Sequence, residues 1–269
     1  MSWRMIGAWY GPHGVFAAVL QGLSRPAMLL RIPRFLQGDP SMTAAVPPPS
    51  SPAAPLRIDF VSDISCPWCA IGLQSLGQAL EALDGTVQAE VHFQPFELNP
   101  GMPPGGQDIG EHLAEKYGAS AEQTAQTQRA IAERGAALGF EFRMDRRGRI
   151  YNTFDAHRLL HWAHEVAGPQ AQEALKRALF HAYFTEGRDP GDRALLVELA
   201  AGAGLDAARA QQVLDAGEYA DAVRERESFY QQHGIHSVPA VIVNGRHLIQ
   251  GGQPPEVFEQ ALRQIAAGG

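Results

Sequence analysis

The sequence predicts an α/β protein with a βαβ unit near its start, a ββα unit at its end and a long helical insertion between them. The alternation of apolar and polar residues that is typical of strands is confined to residues 56–96 and 239–249. Every periodic segment between about residues 109 and 232 has helical spacing instead. Strands grouped at both ends of a helical stretch favour one α/β domain that carries an insertion.

Composition limits the classes of protein and partner. The chain has 269 residues, of which 45% are apolar and 19% are charged, so it has enough apolar side chains for a substantial core. Its formal charge of −7 argues against a nucleic-acid partner. Since no apolar stretch reaches about 18 residues, we also expect no membrane partner.

Residues 1–55 differ from the rest and predict an unstructured leader with a Pro-rich linker. Residues 1–42 contain four arginines and a single acidic residue, Asp39, so this segment carries a positive charge. Met42 is an alternative initiator. The segment AAVPPPSSPAAP that follows is typical of a linker. The apolar patches of the leader are interrupted and lack a clear cleavage site. We therefore expect a cytoplasmic protein, although this atypical leader leaves export open.

The βαβ unit occupies residues 56–104. Leu56 to Ser62 alternates as a strand, and a helix is predicted from Ser65 to about Leu83, with a proline in its first turn. Val87 to Phe96 alternates again as a second strand.

An all-helical insertion is predicted over residues 105–232, and the ββα unit over residues 233–269. The hairpin comprises Pro239 to Val243, an Asn-Gly turn and Arg246 to Ile249, and a helix from about Pro254 to Ala266 follows it. These parts match a thioredoxin-like fold (βαβ…ββα) with a large helical insertion.

Cys66 and Cys69 are the only cysteines, which excludes a framework of several disulfides and a zinc site made of cysteine alone. Cys66 ends the strand-to-helix connection, where backbone N–H groups and the helix dipole favour a thiolate and lower its pKa. Cys69 lies one turn further, within reach of the first sulfur, so it could resolve a mixed disulfide. The alternative is a pair of buried packing cysteines.

Several histidines are weaker candidates. His157, His161 and His164 share one face of a predicted helix and could suit a metal, but packing explains them better, so we assign no metal ligand. His233 and His236 precede the late Val-Pro dipeptide. A cation from either would lower the pKa of Cys66; the alternative is an ordinary loop or capping role.

A short basic run surrounds Gly148. It consists of Arg143, Arg146, Arg147 and Arg149. We interpret it as a solvated turn, with docking of an acidic substrate as the alternative.

The segments IDFVSDISCPWCAIG and GIHSVPAVIVNGRHLIQGG, with the helical insertion between them, resemble the DsbA-like thioredoxin-fold proteins, particularly the FrnE-like branch. The resemblance implies a thiol–disulfide oxidoreductase in which Cys66 is the exposed nucleophile and Cys69 the resolving cysteine. It further implies that Val238 and Pro239 form a loop whose proline is cis and faces the disulfide.

The sequence departs from that family in two places. The residues between the cysteines are Pro67 and Trp68, so the motif lacks the histidine of the strongly oxidising members. Thioredoxin-like reductases commonly place a buried acid where this chain has Phe60, and Asp59 and Asp63 are out of that register. The proton acceptor for the second cysteine is therefore unassigned.

The leading hypothesis is an enzyme that cycles the cysteine pair between dithiol and disulfide while it reduces, oxidises or isomerises substrate disulfides. Its partners would be protein or small-molecule thiols and disulfides, with no cofactor beyond the redox-active pair and glutathione as a candidate reductant. One alternative is a kappa-class glutathione transferase or 2-hydroxychromene-2-carboxylate isomerase, although these place serine where Cys66 stands. A second is a non-enzymatic binding protein that uses the helical insertion. Direction of electron flow and oligomeric state stay open.

Overall fold

The structure is a computed structural model that describes residues 4–5 and 55–268. Nearly all of the predicted leader and linker lies outside the described residues. The strands are β1 (Arg4–Met5), β2 (Leu56–Ser62), β3 (Ala89–Pro95), β4 (Gln107–Asp108), β5 (Arg149–Ile150), β6 (Ala240–Val243) and β7 (His247–Gln250). The α-helices are α1 (Pro67–Ala82), α2 (Ile109–Tyr117), α3 (Ala121–Ala137), α4 (Phe154–His181), α5 (Arg193–Gly202), α6 (Ala207–Asp215), α7 (Ala220–Gln232) and α8 (Pro255–Gly268).

Five strands form the central sheet in the order β1–β7–β6–β2–β3. β2 runs parallel to β3 and antiparallel to β6, and β6 and β7 form the predicted hairpin. β1 pairs with β7 in parallel. No strand is predicted before Leu56, so β1 differs from the expectation of an unstructured leader.

Alternation along the strands gives the sheet two covered faces. Phe60 packs in one apolar cluster with residues of α1 and α8, including Leu73 and Phe258. Its neighbour Val61 points the other way, into a cluster that contains Tyr230 of α7. The sheet therefore lies between two helical layers.

The edge of the sheet at β3 is covered by the side chain of Gln172 on α4. Its Oε1 accepts from the backbone N–H of Phe93 at 2.9 Å, and its Nε2 donates to the Phe93 carbonyl at 2.9 Å. The side-chain amide thus pairs with backbone groups of the edge strand that could otherwise bind a further strand. This contact holds α4 against the predicted βαβ unit.

The insertion has an apolar cluster of its own, which includes Leu159, Trp162 and Leu196. Its long helix α4 is interrupted at Gly168, which has a φ of +81° and is followed by Pro169. The expectation of an all-helical insertion is wrong in one detail, because β4 and β5 pair within it. Two-residue strands carry too little alternation to be predicted.

Residues 55–268 belong to one compact unit. None of their helices is both long enough and apolar enough to cross a membrane.

Candidate active site

Cys66 lies where the connection after β2 enters α1. It is the N-cap residue, with extended backbone angles, and Pro67 takes the first helical position. Both cysteines are free thiols, and Cys69 is fully buried. The expectation of an exposed Cys66 is wrong, since only 5% of this residue is accessible, because the Val238 loop lies against it.

The two thiols have opposite electrostatic environments. The pKa of Cys66 lies below its ordinary value, chiefly because the Cys69 thiol hydrogen-bonds to the Cys66 thiolate. Burial raises this pKa, but the backbone N–H groups of Cys69 and Trp68 lower it further. Burial, then the neighbouring Cys66, raises the pKa of Cys69. Of the two, Cys66 is therefore the sulfur that ionises first.

The loop that contains Val238 and Pro239 lies against Cys66 and α1. The Cys66 thiol donates a long hydrogen bond of 3.8 Å to the Val238 carbonyl, and the Val238–Pro239 peptide bond is cis. The Pro239 ring packs on α1, since a Cβ at Gly72 would lie 3.1 Å from its Cγ. Val238 is thus beside the Cys66 thiol, although it is 172 positions from Cys66 in sequence, and Pro239 lies against the helix that follows Cys66.

Trp68 has an exposed side chain, 39% accessible. Its backbone carbonyl is approached closely by Gly252, where a Cβ would lie 3.0 Å from that oxygen. The rim of the site beside the cysteines therefore carries an indole ring that faces solvent.

Asp63 is a buried anion in the loop that precedes Cys66. It accepts hydrogen bonds from the Ser65 hydroxyl at 2.8 Å, the Leu98 N–H at 2.7 Å and the Thr153 hydroxyl at 2.8 Å, and His157 Nε2 lies 3.6 Å away. Burial raises the pKa of Asp63, but His157 and these hydrogen bonds prevail and hold it at about 2. The carboxylate thus fixes the loop before Cys66 to the insertion.

Arg147 corrects the interpretation of the basic run as a solvated turn. It is only 7% accessible, its Nη2 donates to the Ser65 carbonyl at 3.0 Å, and its guanidinium lies over the rings of Tyr183 and Phe184. An arginine can be buried beside aromatic rings because the faces of the rings attract its positive charge. This arginine therefore supports the residue next to Cys66.

Lys176 of α4 was missed by the sequence analysis. It is fully buried, its Nζ lacks a hydrogen-bond partner among the described residues, and it lies 4.9 Å from the centre of the Phe180 ring. Burial, opposed by the charges of Cys69, Asp63 and Cys66, lowers the pKa of Lys176 to about 8. Helical spacing places Lys176 on the same face of α4 as Leu179 and Phe180, so a lysine at an apolar position is the signal that could have identified it.

The three insertion histidines do not converge. His157 lies against Asp63, His161 packs on Tyr219, and His164 packs on His92. Within residues 4–5 and 55–268, no group of three or more histidine, cysteine or acidic side chains could hold a metal ion.

His233 and His236 are not among the main groups that shift the pKa of Cys66. His233 instead bonds through Nδ1 to the Phe229 carbonyl at 2.7 Å, and its ring packs on that phenyl group. His236 is exposed. The hypothesis that either supplies a cation to the thiolate has no support in this geometry.

Comparison with known proteins identifies the family. The model of the DSBA-like thioredoxin domain matches residues 57–263. A probable DsbA oxidoreductase from Streptomyces coelicolor is 38% identical, with a TM-score of 0.71 over 79% of this chain and 90% of that one. The uncharacterised protein YwbO of Bacillus subtilis is 27% identical over 77% of this chain and 96% of its own length.

More distant structures share the fold. The cytosolic disulfide reductase DsbM from Pseudomonas aeruginosa, solved with GSH, is 19% identical, with a TM-score of 0.53 over 78% of this chain and 99% of that one. The FrnE-like assignment stays a prediction. With a family match over most of the chain and a thioredoxin-like fold around two free thiols, the protein belongs to the DSBA-like thioredoxin domain family and is a disulfide oxidoreductase.

Proposed function

We propose that the protein cycles Cys66 and Cys69 between dithiol and disulfide, with Cys66 as the nucleophile and Cys69 as the resolving cysteine. The observation that carries the proposal is the position of Cys66 at the N-cap of α1, 5% accessible, with Cys69 fully buried in the following turn. The opposite directions of their pKa shifts agree with it. A thiolate attacks a disulfide and a thiol does not, so the sulfur that ionises first is the one that attacks a substrate.

In the reductive direction, the Cys66 thiolate attacks one sulfur of a substrate disulfide and displaces the other as a thiolate. The products are a mixed disulfide on Cys66 and a leaving thiolate that takes a proton from solvent. Cys69 then loses its proton and attacks the Cys66 sulfur. This step forms the Cys66–Cys69 disulfide and releases the second substrate thiolate, and the reverse sequence oxidises a substrate dithiol.

The Val238–Pro239 loop would border the incoming substrate. Its contact with the Cys66 sulfur supports this role. Pro67 would set the first turn of α1, and Trp68 would offer an exposed apolar surface beside the reacting sulfur. We therefore assign these four residues a supporting role in substrate placement.

The two earlier alternatives explain the site less well. A glutathione transferase or chromene-carboxylate isomerase has no need of Cys69, whereas this chain buries it beside Cys66. A binding protein that acts only through its helices leaves the pKa shifts of both thiols without a role.

We propose protein or small-molecule thiols and disulfides as partners and glutathione as the first reductant to test. We also propose a cytoplasmic location, where disulfides of this kind are transient and catalytic. Equilibration in glutathione redox buffers of known potential gives the reduction potential of the pair, which decides the direction of electron flow.

Trapping of the mixed disulfide tests the two cysteine roles. Each serine variant is mixed with oxidised glutathione and analysed by intact-protein mass spectrometry. Cys69→Ser should accumulate one glutathione adduct that added thiol releases, because Cys66 still attacks but nothing resolves the product. Cys66→Ser should form none. An adduct on Cys66→Ser alone reverses the roles, and no reaction in any variant or in the parent overturns the proposal.

A further inference from the structure

We propose that Arg147, contributed by the helical insertion, is a positioning residue that holds the Cys66 thiolate at the start of α1 and thereby makes the cysteine pair more oxidising. The inference rests on the proposed function and names a residue from outside the thioredoxin-like part that acts on the same site. It is carried by the hydrogen bonds that hold both polar groups of the peptide bond between Ser65 and Cys66.

The peptide bond that joins Ser65 to Cys66 is held from two sides. Its carbonyl accepts from Arg147 Nη2 at 3.0 Å, and its N–H donates to the Asp63 carbonyl at 3.3 Å. The Ser65 N–H and hydroxyl also donate to the Asp63 carboxylate, at 3.2 Å and 2.8 Å. Rotation of this peptide would break the bonds at both of its ends. The backbone therefore enters Cys66 in one orientation, and among these contacts only that of Arg147 comes from another part of the chain.

The side chain of Arg147 is itself held in place. Its guanidinium carbon lies 5.0 Å from the centre of the Tyr183 ring and 5.2 Å from that of the Phe184 ring. The carbonyl of the next residue, Gly148, accepts from the Ile109 N–H at 3.1 Å, which fixes the backbone of the loop. A planar guanidinium can stack on rings and donate hydrogen bonds in its own plane at the same time. The hydrogen bond to the residue before Cys66 is thus made by a donor with little freedom to move.

The orientation of Cys66 decides how well its thiolate is stabilised. Cys66 is the N-cap residue of α1, with a φ of −91° and a ψ of 112°. The helix dipole favours an anion at this place, and the backbone N–H groups of Trp68 and Cys69 lower the pKa of Cys66. Rotation of the preceding peptide changes φ of Cys66 and moves its sulfur relative to these groups. Arg147 is not among the main groups that shift this pKa directly, so it acts through geometry.

A stabilised thiolate makes a cysteine pair more oxidising, because only the reduced protein carries the thiolate. In exchange with glutathione, two glutathione thiols reduce the Cys66–Cys69 disulfide and leave as one oxidised glutathione. Cys69 is then a thiol, and the proton of Cys66 goes to solvent. Loss of thiolate stabilisation therefore shifts this equilibrium toward the Cys66–Cys69 disulfide.

The test compares Arg147→Met with the matched control Arg146→Met. Arg146 is the neighbouring arginine of the same loop, but it is exposed. Thiolate absorbance against pH, in a Cys69→Ser background with one thiol, gives the ionisation midpoint of Cys66. The rate of attack on hydroxyethyl disulfide is measured in the same background, because this disulfide has no charge that an arginine could attract. Equilibration with glutathione is measured with both cysteines present.

Arg147→Met should raise the ionisation midpoint of Cys66 by about one pH unit, the size of a helix-terminus effect on a partly buried charge. At a pH above both midpoints, the glutathione equilibrium should shift about tenfold toward the disulfide, which corresponds to about 30 mV. Below both midpoints, attack should be about threefold slower, since a tenfold loss of thiolate is partly offset by the higher nucleophilicity of a more basic thiolate. Arg146→Met should leave all three quantities unchanged.

Arg147→Lys separates position from charge. Lysine keeps the positive charge among the rings, but its side chain is one bond shorter and has no planar fork, so it does not reproduce the hydrogen bond to the Ser65 carbonyl. We therefore expect Arg147→Lys to show the same shift of the midpoint and of the glutathione equilibrium as Arg147→Met.

Three results overturn the proposal. They are an unchanged midpoint in Arg147→Met, even with reduced stability, an unchanged glutathione equilibrium, and full rescue by Arg147→Lys, which would leave charge as the cause. Arg147→Gln, which is neutral and too short to reach the Ser65 carbonyl, serves as the second variant if Arg147→Met does not fold. Failure of the proposed function would show earlier, because Cys69→Ser with Arg147 in place would then form no adduct.

Discussion

Asp63 holds the loop before Cys66 in position. Its carboxylate joins the loop before Cys66 to the backbone at Leu98 and to the insertion at Thr153. Its negative charge raises the pKa of Cys66, against the activation of that thiol. The Asp63 carboxylate therefore fixes the loop although its charge disfavours the Cys66 thiolate.

We predict a defined acid dependence from Asp63. The pKa of this carboxyl is about 2 in the folded protein and near 3.8 without the fold. Because folding lowers the pKa, its contribution to the free energy of unfolding is fully present above about pH 4 and is lost as the pH falls toward 2. The shift corresponds to about 2 kcal/mol.

Urea unfolding of the parent and Asp63→Asn between pH 2 and 7 measures this contribution. The difference in unfolding free energy between the two proteins should shrink by about 2 kcal/mol from pH 5 to pH 2. A difference that stays constant over this range would contradict the prediction. Asp145→Asn, at an exposed ion pair with Arg143, is the control and should change little.

The residues of the site differ in how far sequence could identify them. Cys66 and Cys69 stand out as the only cysteines, at a strand-to-helix boundary that strand and helix patterns locate well. Val238 and Pro239 entered only through the family resemblance. Arg147 was named only as part of a basic run and Lys176 was missed, because the burial of both side chains depends on where the insertion packs.

At the scale of elements, strong alternation predicted the central strands. The prediction of β2 over Leu56 to Ser62 is confirmed, and the hairpin strands differ by one residue at their ends. The paired strands β4 and β5 were not predicted, because each has only two residues and they are distant from each other in sequence. Contacts between elements, such as that of α4 with the edge of β3, have no periodic signal at all.

We predict that Gln172 stabilises the edge of β3. Replacement by methionine keeps the length of the side chain but leaves the Phe93 N–H and carbonyl and the Leu160 carbonyl without their amide partner. Buried backbone groups that lose a partner cost about 1–3 kcal/mol each, so we expect Gln172→Met to lower the unfolding free energy by about 2–4 kcal/mol.

Chemical denaturation measures this loss. Gln78→Met is the control, since Gln78 is exposed and makes one hydrogen bond, to the Leu138 carbonyl at 3.2 Å. It should change the unfolding free energy by no more than about 0.5 kcal/mol. Equal effects of the two substitutions would show that the Gln172 amide does not hold the strand edge.

At the scale of the whole molecule, the site belongs to both parts of the fold. Cys66 and Cys69 come from the thioredoxin-like part, whereas Arg147 and Lys176 come from the insertion. The boundaries drawn from sequence therefore separate residues that are in contact, such as Arg147 and Ser65. We expect the two parts to unfold as one cooperative unit, since the described residues from 55 to 268 form one compact unit.

Leu196→Ala tests that cooperativity. Leu196 is fully buried in the insertion cluster, and its truncation should cost about 2–5 kcal/mol. Alkylation of buried Cys69 under native conditions, in a Cys66→Ser background, reports opening of the other part of the fold. If unfolding is cooperative, Leu196→Ala raises the Cys69 alkylation rate by the factor that its loss of stability predicts, about tenfold for each 1.4 kcal/mol. Val166→Ala, at an exposed position, should leave the rate unchanged, and an unchanged rate in Leu196→Ala would mean that the insertion opens on its own.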